Sequence, residues 1–265
     1  MKYLKYIFIS AMAMFALVAC DPQVDPYTPG QPTNTNGDNV YFAAENPGTY
    51  VLGLSDNSFV VAIQRDPVDH AVTVPLTVHT STPEVFTVPA SVTFEAGQTS
   101  AEITVGFNNA EPFTNYQLEI VVDEELTHQY AEQYVYPRFA AIVLQEDYKV
   151  VHTGVYYDDF WSGEETEQDL EYSEMQDLYR LSNVWGTGVG FTFAFHPDAE
   201  KEEDIITNLP GALATGLFDD TYGYITATAD ASQTFYEPDE DAIYFAFKWT
   251  VSAGSFGVYY NVFYF

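Results

Sequence analysis

The sequence predicts an all-β protein made of two antiparallel domains, and three observations carry that prediction. Hydrophobic residues make up 47% of the chain and aromatics 17%, with 21 Tyr and 20 Phe, a composition that a disordered acidic chain lacks and that favours sheet. Apolar residues recur with a period of two over short runs, as half-buried strands require. Those runs are bounded by Gly, Pro, Asn and Ser clusters at short spacing, the pattern of antiparallel sandwiches and barrels. The 265 residues are enough for two domains of ordinary size, each with its own core. With one cysteine in the chain, no disulfide framework contributes.

Residues 1–19 begin with Lys2 and Lys5 and continue as an apolar run from Ile7 to Ala19 broken only by Ser10. A charged start, a short apolar middle and a small-residue exit define a secretory signal, too short to make a good membrane span. The exit reads Leu17-Val18-Ala19-Cys20. These four residues resemble the lipobox of bacterial lipoproteins, and the resemblance implies that Cys20 is acylated and becomes the first residue, with the lipid bilayer as partner. Residues 20–39 hold four prolines, two glycines and polar fillers, a flexible tether that could reach roughly 40–60 Å. Asp21 and Asp25 follow the lipid site. They resemble the acidic export signal of surface lipoproteins in Gram-negative gut anaerobes.

Residues 40–147 form the first domain. Phe59–Ile63 follows the turn-like Ser55–Ser58; Val72, Val74, Leu76 and Val78 alternate with polar partners; Val92 and Phe94 lead into Glu95-Ala-Gly97-Gln98. Ala101, Ile103, Val105 and Phe107 return, Tyr116 to Val122 alternate again, and Phe139 to Leu144 close the domain. The segment from Glu124 to Tyr134 has a helix-forming composition and reads equally as a polar loop.

The stretches Val61–Arg65, Val72–Leu76, Phe86–Val105 and Tyr116–Ile120 resemble Calx-beta and related immunoglobulin-like modules. Those modules share a strand ending in Arg, a Phe-x-x-Gly hairpin and a late strand of alternating apolar residues. The resemblance implies an immunoglobulin-like sandwich. Its calcium-binding members carry acidic residues where this chain has Pro83-Glu84-Val85-Phe86 and Asn108-Asn109, so it implies a spacer module rather than a calcium site.

Residues 148–265 are richer in Tyr, Phe and Gly and are expected to form an aromatic β-sandwich or a barrel-like domain. Strands are expected at Val150–Tyr157, Leu178–Leu181, Val189–Phe195 and Gly223–Thr228. Ile243, Phe245, Phe247, Trp249 and Val251 alternate on another, and Ser252–Ser255 turns into Phe256–Phe265. Trp249 therefore belongs to the core. Its opening Gly-Val-Tyr-Tyr-Asp and closing aromatic strand pair resemble the C-terminal domains of gut-anaerobe lipoproteins. Gln145-Glu-Asp-Tyr148 joins the domains without Gly or Pro, which favours a fixed angle between them.

Charge and motifs exclude several functions. Cleavage before Cys20 leaves six basic residues against 39 acidic ones, a net charge of −33, and such a surface repels nucleic acid and anionic lipid. Five histidines show no metal spacing, and neither G-x-S-x-G nor a P-loop occurs. Gly186, Gly188 and Gly190 suit a turn or close sheet packing. Acidic runs such as Asp239–Asp241 lack an EF-hand register and read as solvated charge. Asp158 and Asp159 are adjacent and face opposite sides of an extended strand, a poor start for a glycosidase pair. No catalytic residue, metal or cofactor is assigned.

The expected function is non-enzymatic: binding glycan at the cell surface or assisting its uptake, with a structural or adhesive lipoprotein that binds a protein partner, or a glycoside hydrolase accessory or enzyme, as alternatives. The candidate ligand residues are Trp161 and Trp185, each at a strand-to-loop boundary, with Asp158 and Asp159 as hydroxyl acceptors. An exposed ring can stack on a sugar face; a ring that only caps the domain would be packing. For the anchor, intact-mass analysis should find acyl chains on the N-terminal Cys20, and Cys20→Ala should abolish them. Protease shaving of whole cells should remove the protein; protection until the outer membrane is broken would place it inside.

Overall fold

A computed structural model describes residues 39–66, 68–127 and 137–265. The signal, Cys20 and the tether up to residue 38 lie outside these, as does the 128–136 portion of the segment with helix-forming composition; its start, Glu124–Leu126, is a 3-10 turn. Asn39, placed at the end of the tether by its sequence, is buried and its amide donates to Asp66 at 2.9 Å.

The first domain is a two-sheet sandwich. Its strands are β1 (Val40–Phe42), β2 (Thr49–Gly53), β3 (Ser58–Arg65), β4 (Val72–His79), β5 (Phe86–Thr87), β6 (Ser91–Phe94), β7 (Ser100–Phe107), β8 (Tyr116–Val122) and β9 (Arg138–Glu146). One sheet has the order β1-β3-β7-β5, the other β2-β9-β8-β4-β6. The opening segment is split between them, since β1 pairs with β3 while β2 runs parallel to β9. The alternation read from the sequence sets the core: Phe59, Val61 and Ile63 of β3 meet Ile103, Val105 and Phe107 of β7 and Leu118, Ile120 and Val122 of β8.

The arginine that ends β3 has a structural reason. Arg65 is 1% exposed, and its Nε donates to the Gln98 carbonyl at 2.7 Å. Its Nη2 donates to the carbonyls of Glu95 at 2.5 Å and His70 at 3.0 Å, and the guanidinium lies over the Phe94 ring. A buried cation is tolerable because carbonyl dipoles and a π face replace water. Those carbonyls belong largely to the 95–98 turn, so Arg65 pins the hairpin between β6 and β7.

The second domain contains β10 (Lys149–Asp158), β11 (Glu165–Ser173), β12 (Leu178–Leu181), β13 (Phe191–Phe195), β14 (Ile206–Thr207), β15 (Ala212–Asp219), β16 (Gly223–Ala229), β17 (Phe235–Glu237), β18 (Ala242–Val251) and β19 (Gly254–Tyr264). They form one antiparallel sheet in the order β14-β13-β12-β11-β10-β19-β18-β16-β15, with β17 added beside β18. Its two edge strands are consecutive in the chain and only Asn208–Gly211 separates them, so their near ends lie within about 17 Å. A ten-stranded sheet whose edge strands are tied this closely has to curl, and this one is a half-barrel.

The seam is crossed by a side chain: the Thr187 hydroxyl, from the β12–β13 loop, donates to the Thr215 carbonyl at 2.5 Å. Gly216 beside it has φ +77°, and a Cβ there would lie 2.9 Å from Thr187. The concave face holds Tyr156, Phe191, Phe193, Phe245, Phe247, Trp249 and Phe263, all buried. Trp249 is a core residue, as its alternation predicts, and Phe160 stacks on it at 4.2 Å.

Where the domains meet, Arg180 of β12 lies between Glu146 of β9, at 2.6 Å, and Glu171 of β11, at 2.7 Å, with its guanidinium 3.9 Å from the centre of the Tyr148 ring. Asp147 accepts from the Ser173 hydroxyl at 2.5 Å and the Met175 amide at 3.0 Å. Burial pushes the Asp147 carboxyl up, but the Ser173 hydroxyl and the neighbouring backbone amides outweigh it and hold the group below its usual value.

A carboxyl with a depressed folded pKa stabilises the fold above its unfolded value, about 3.9, and that contribution disappears as pH falls through the folded pKa. Urea unfolding of the protein and of Asp147→Asn should therefore show the protein more stable at pH 6, with the gap closing below about pH 3.9. A gap that stays constant with pH would mean the Asp147 bonds do not depend on its charge.

Candidate functional site

The register places the strand ends unambiguously. Asp158 of β10, Glu165 of β11, the β15–β16 turn and the β18–β19 turn gather at one end of the half-barrel, and Asp147 and Ser173–Asp177 lie at the other, toward the first domain. Strand β12 stops at Leu181, opposite Leu170, so the half of β11 nearer Glu165 is paired with β10 on one side and has no strand on the other. The Ser182–Gly190 loop fills that space. It can turn tightly because Gly186 and Gly188 have positive φ, and it re-enters the sheet at Gly190, where a Cβ would lie 1.9 Å from the Leu181 carbonyl. The glycine run thus serves both a turn and close sheet packing.

A recess of about 200 Å³ results. Its walls are Asp158, Trp161, Ser162 and Glu164 from the end of β10 and the β10–β11 loop, Thr166 and Gln168 from β11, and Asn183–Gly186 from the loop after β12. Trp161, Trp185 and Asp158, singled out from the sequence, are thereby brought together. Asp159 is not: it is exposed, away from the recess lining, and accepts from the Tyr157 hydroxyl at 3.3 Å.

The residues that do meet have different roles from those expected. Asp158 is 3% exposed, and its carboxylate accepts from the amides of Phe160 at 3.1 Å, Trp161 at 3.2 Å and Ser162 at 3.1 Å. It also accepts from the Asn261 side chain at 2.7 Å. Four donors satisfy a buried carboxylate, so Asp158 holds the loop that carries Trp161 and has little left to offer a ligand. Trp185 is 8% exposed and packs edge-on against Trp249 at 5.5 Å and Phe247 at 6.0 Å. It is the back wall. Trp161 is 42% exposed and is the ring available at the mouth.

Sequence reasoning missed Thr166 and Gln168, and it reads Glu164 only as solvated loop charge. Glu165, Glu167, Asp169 and Glu171 alternate with Thr166, Gln168, Leu170 and Tyr172, a period of two in which the inward set is polar wherever it borders the recess. Strand signals weighted by hydrophobicity pass over such a run; the acidic alternation itself was the available signal. Glu164 is exposed, and its carboxylate makes no hydrogen bond or ion pair among the described residues. Deeper in, burial and secondarily the Asp158 carboxylate push the Tyr156 phenol well above its usual range, so Tyr156 stays protonated at any physiological pH.

Two other places on the surface are concave or strongly acidic. A larger hollow of about 720 Å³ lies over the outer face of β8 and β9 in the first domain, where Glu119 faces Ala140 and Gln117 faces Ile142. Its lining has no Phe, Tyr or Trp, and Glu119 is already paired with Arg138 at 3.1 Å. In the acidic run 239–241, the Tyr236 hydroxyl donates to Asp241 at 2.8 Å and that of Tyr244 to Glu240. Among the described residues no group of three or more His, Cys, Asp or Glu is placed to hold a metal ion.

No protein-family model matches the sequence, and no curated protein matches it. Solved structures similar to the chain include a protein of unknown function from Bacteroides ovatus, with 9% identity over 86% of this chain and 90% of that one and a TM-score of 0.35. A multidomain protein including DUF1735, also from Bacteroides ovatus, has 12% identity over 84% and 92% with a TM-score of 0.31. The calcium binding domain CBD12 of CALX1.1 has 12% identity over 61% of this chain and 82% of that one, with a TM-score of 0.31.

The two tryptophans separate in a stability measurement. Trp185→Ala should cost about 3–5 kcal/mol, the usual loss for a large aromatic removed from a core. Trp161→Ala should stay within about 0.5 kcal/mol, as for an exposed side chain. Urea unfolding of both variants checks this, and equal losses would place Trp161 in the core.

Proposed function

We propose that this protein is a lipid-anchored surface protein that binds a sugar without chemically altering it, at the recess beneath Trp161. The observation that carries this reading is the geometry of Trp161: an indole held partly exposed by a dedicated loop, above walls made of Ser162, Glu164, Thr166, Gln168 and Asn183. An aromatic face with hydrogen-bonding groups around it matches the two sides of a pyranose, one lined by C–H groups and the other edged by hydroxyls. The volume supports the same reading: pockets for drug-sized molecules run about 300–1,000 Å³, and a recess of about 200 Å³ suits a single ring.

A binding role is favoured over catalysis because the carboxylate best placed for chemistry, Asp158, is consumed by the loop it organises. Glycoside hydrolysis needs two carboxylates on either side of the bond, and Glu164 is the remaining one in the lining. The anchor rests on Cys20 and the outward orientation on Asp21, Asp25 and the tether.

A glycan array probed with the purified chain tests the reading directly. Retention on at least one glycan is expected, lost in Trp161→Ala with the melting temperature unchanged. Retention undiminished in that variant would move the site elsewhere, and no retention on any glycan would end the sugar reading.

A further inference from the structure

The end of the half-barrel that holds the recess carries more exposed aromatic surface than the recess itself uses. Phe160, the residue before Trp161, lies 5.4 Å from Phe256, and Phe256 lies 5.5 Å from Tyr222 at the β15–β16 turn. Tyr222 is 49% exposed. On the two strands that flank this turn, the facing pair Phe218 and Tyr224 are 52% and 75% exposed, with their rings 5.1 Å apart, on the face opposite the buried Leu217 and Ile225. The turn is not slack: Asp219 accepts from the amides of Thr221 at 2.8 Å and Tyr222 at 2.9 Å. A broken track of rings therefore leads from the half-buried Phe160 and Phe256 to the exposed Tyr222, and the exposed Phe218–Tyr224 pair lies on the same hairpin as Tyr222.

Exposed rings of this kind are costly to leave in water and mark a contact surface. Charge narrows what can lie on it. The recess lining includes Asp158 and Glu164 and no Lys, Arg or His, and the chain as a whole is strongly acidic. A ligand bearing carboxylate, sulfate or phosphate would bring its charge against Glu164 with no cation to answer it. A hydroxyl-rich neutral chain meets no such penalty, because it offers donors to the Glu164 carboxylate and C–H faces to the rings.

We infer that the ligand is an uncharged oligosaccharide bound by its end, with one terminal residue in the Trp161 recess and the following residues laid over Tyr222 and the Phe218–Tyr224 pair. This rests on the sugar reading of the recess and adds to it the charge class, the end-on mode and the subsites beyond the first. The recess accommodates one ring, so binding through the middle of a chain would leave it empty, whereas a chain end fills it and lets the rest cross the track.

The probes are neutral hexasaccharides of glucose, mannose and xylose, the corresponding monosaccharides, and the hexasaccharide of galacturonic acid, titrated calorimetrically into the purified chain. At least one neutral hexasaccharide should bind about tenfold or more tightly than its monosaccharide, the gain one or two stacking contacts supply. The galacturonate should bind at least about tenfold more weakly. Tyr222→Ala and Tyr224→Ala should remove most of the hexasaccharide advantage and leave the monosaccharide unchanged, whereas Trp161→Ala should weaken both.

Galacturonate binding equal to the neutral chains would overturn the charge assignment. Hexasaccharide binding no tighter than monosaccharide, or unaffected by both tyrosine variants, would overturn the extended track. Either result leaves the recess as a sugar site. Failure of every probe, in a chain whose melting profile is intact, would overturn the sugar reading and this inference together.

Discussion

The relation between the two domains depends on one cation. Glu146 and Glu171 come from different domains, with side chains 10% and 19% exposed, and two carboxylates facing one guanidinium would repel each other without it. Arg180 resolves the conflict because a planar fork can serve both at once, at 2.6 and 2.7 Å, while its face covers Tyr148. Lysine has the charge but not the fork. In a chain with 8 basic residues against 39 acidic ones, spending an arginine here fixes the direction in which β10 leaves the first domain. Ten residues later that strand ends at Asp158, roughly 30 Å away, so the junction also determines where the recess points.

The acidic excess looks at first like nothing more than solvated charge, and much of it is. A part of it organises loops. Asp147, Asp158, Asp219 and Asp230 each accept backbone amides from the turn that follows or faces them, the local bonding that gives aspartate its preference for turns. Asp158 is the extreme case, because its carboxylate is buried and must be satisfied completely. The Asn261 amide supplies the bond that the loop itself cannot. What reads as a binding carboxylate in the sequence is therefore a positioning residue in the structure, and its product is the placement of Trp161.

Much of the fold was legible because the strands buried on one face announce themselves. β3, β7, β8 and β18 follow the alternation of Phe59–Ile63, Ile103–Phe107, Leu118–Val122 and Ile243–Val251. Strands that escaped reading failed that condition for identifiable reasons. β1, β5, β14 and β17 have two or three residues, too few for any period to show. β11 has polar residues on both faces, and β15 is interrupted by a bulge around Thr215–Leu217. Whether the second domain was a sandwich or barrel-like could not be read at all, because that depends on which strands become edges. In the site, Trp161 and Trp185 were found as rings at loop boundaries, but their opposite fates could not be foreseen. Trp185 is drawn inward because β12 ends early and leaves a space beside Phe247 and Trp249, a consequence of strand lengths rather than of the residues around it.

Phe160 and Trp161 show how a packed core and an open site can share one loop. Phe160 turns inward and stacks at 4.2 Å on Trp249, closing the end of the half-barrel with an apolar lid. Trp161 turns outward over the recess, and both amides bond the same Asp158 oxygen. The core thus clamps the loop from below through Phe160 while the carboxylate sets its curvature, and the exposed indole inherits that rigidity without contributing to the packing. A ring fixed in this way loses little conformational freedom when a ligand stacks on it. It can also be changed without disturbing the core, which confines the chemistry of the mouth to residues the fold does not need.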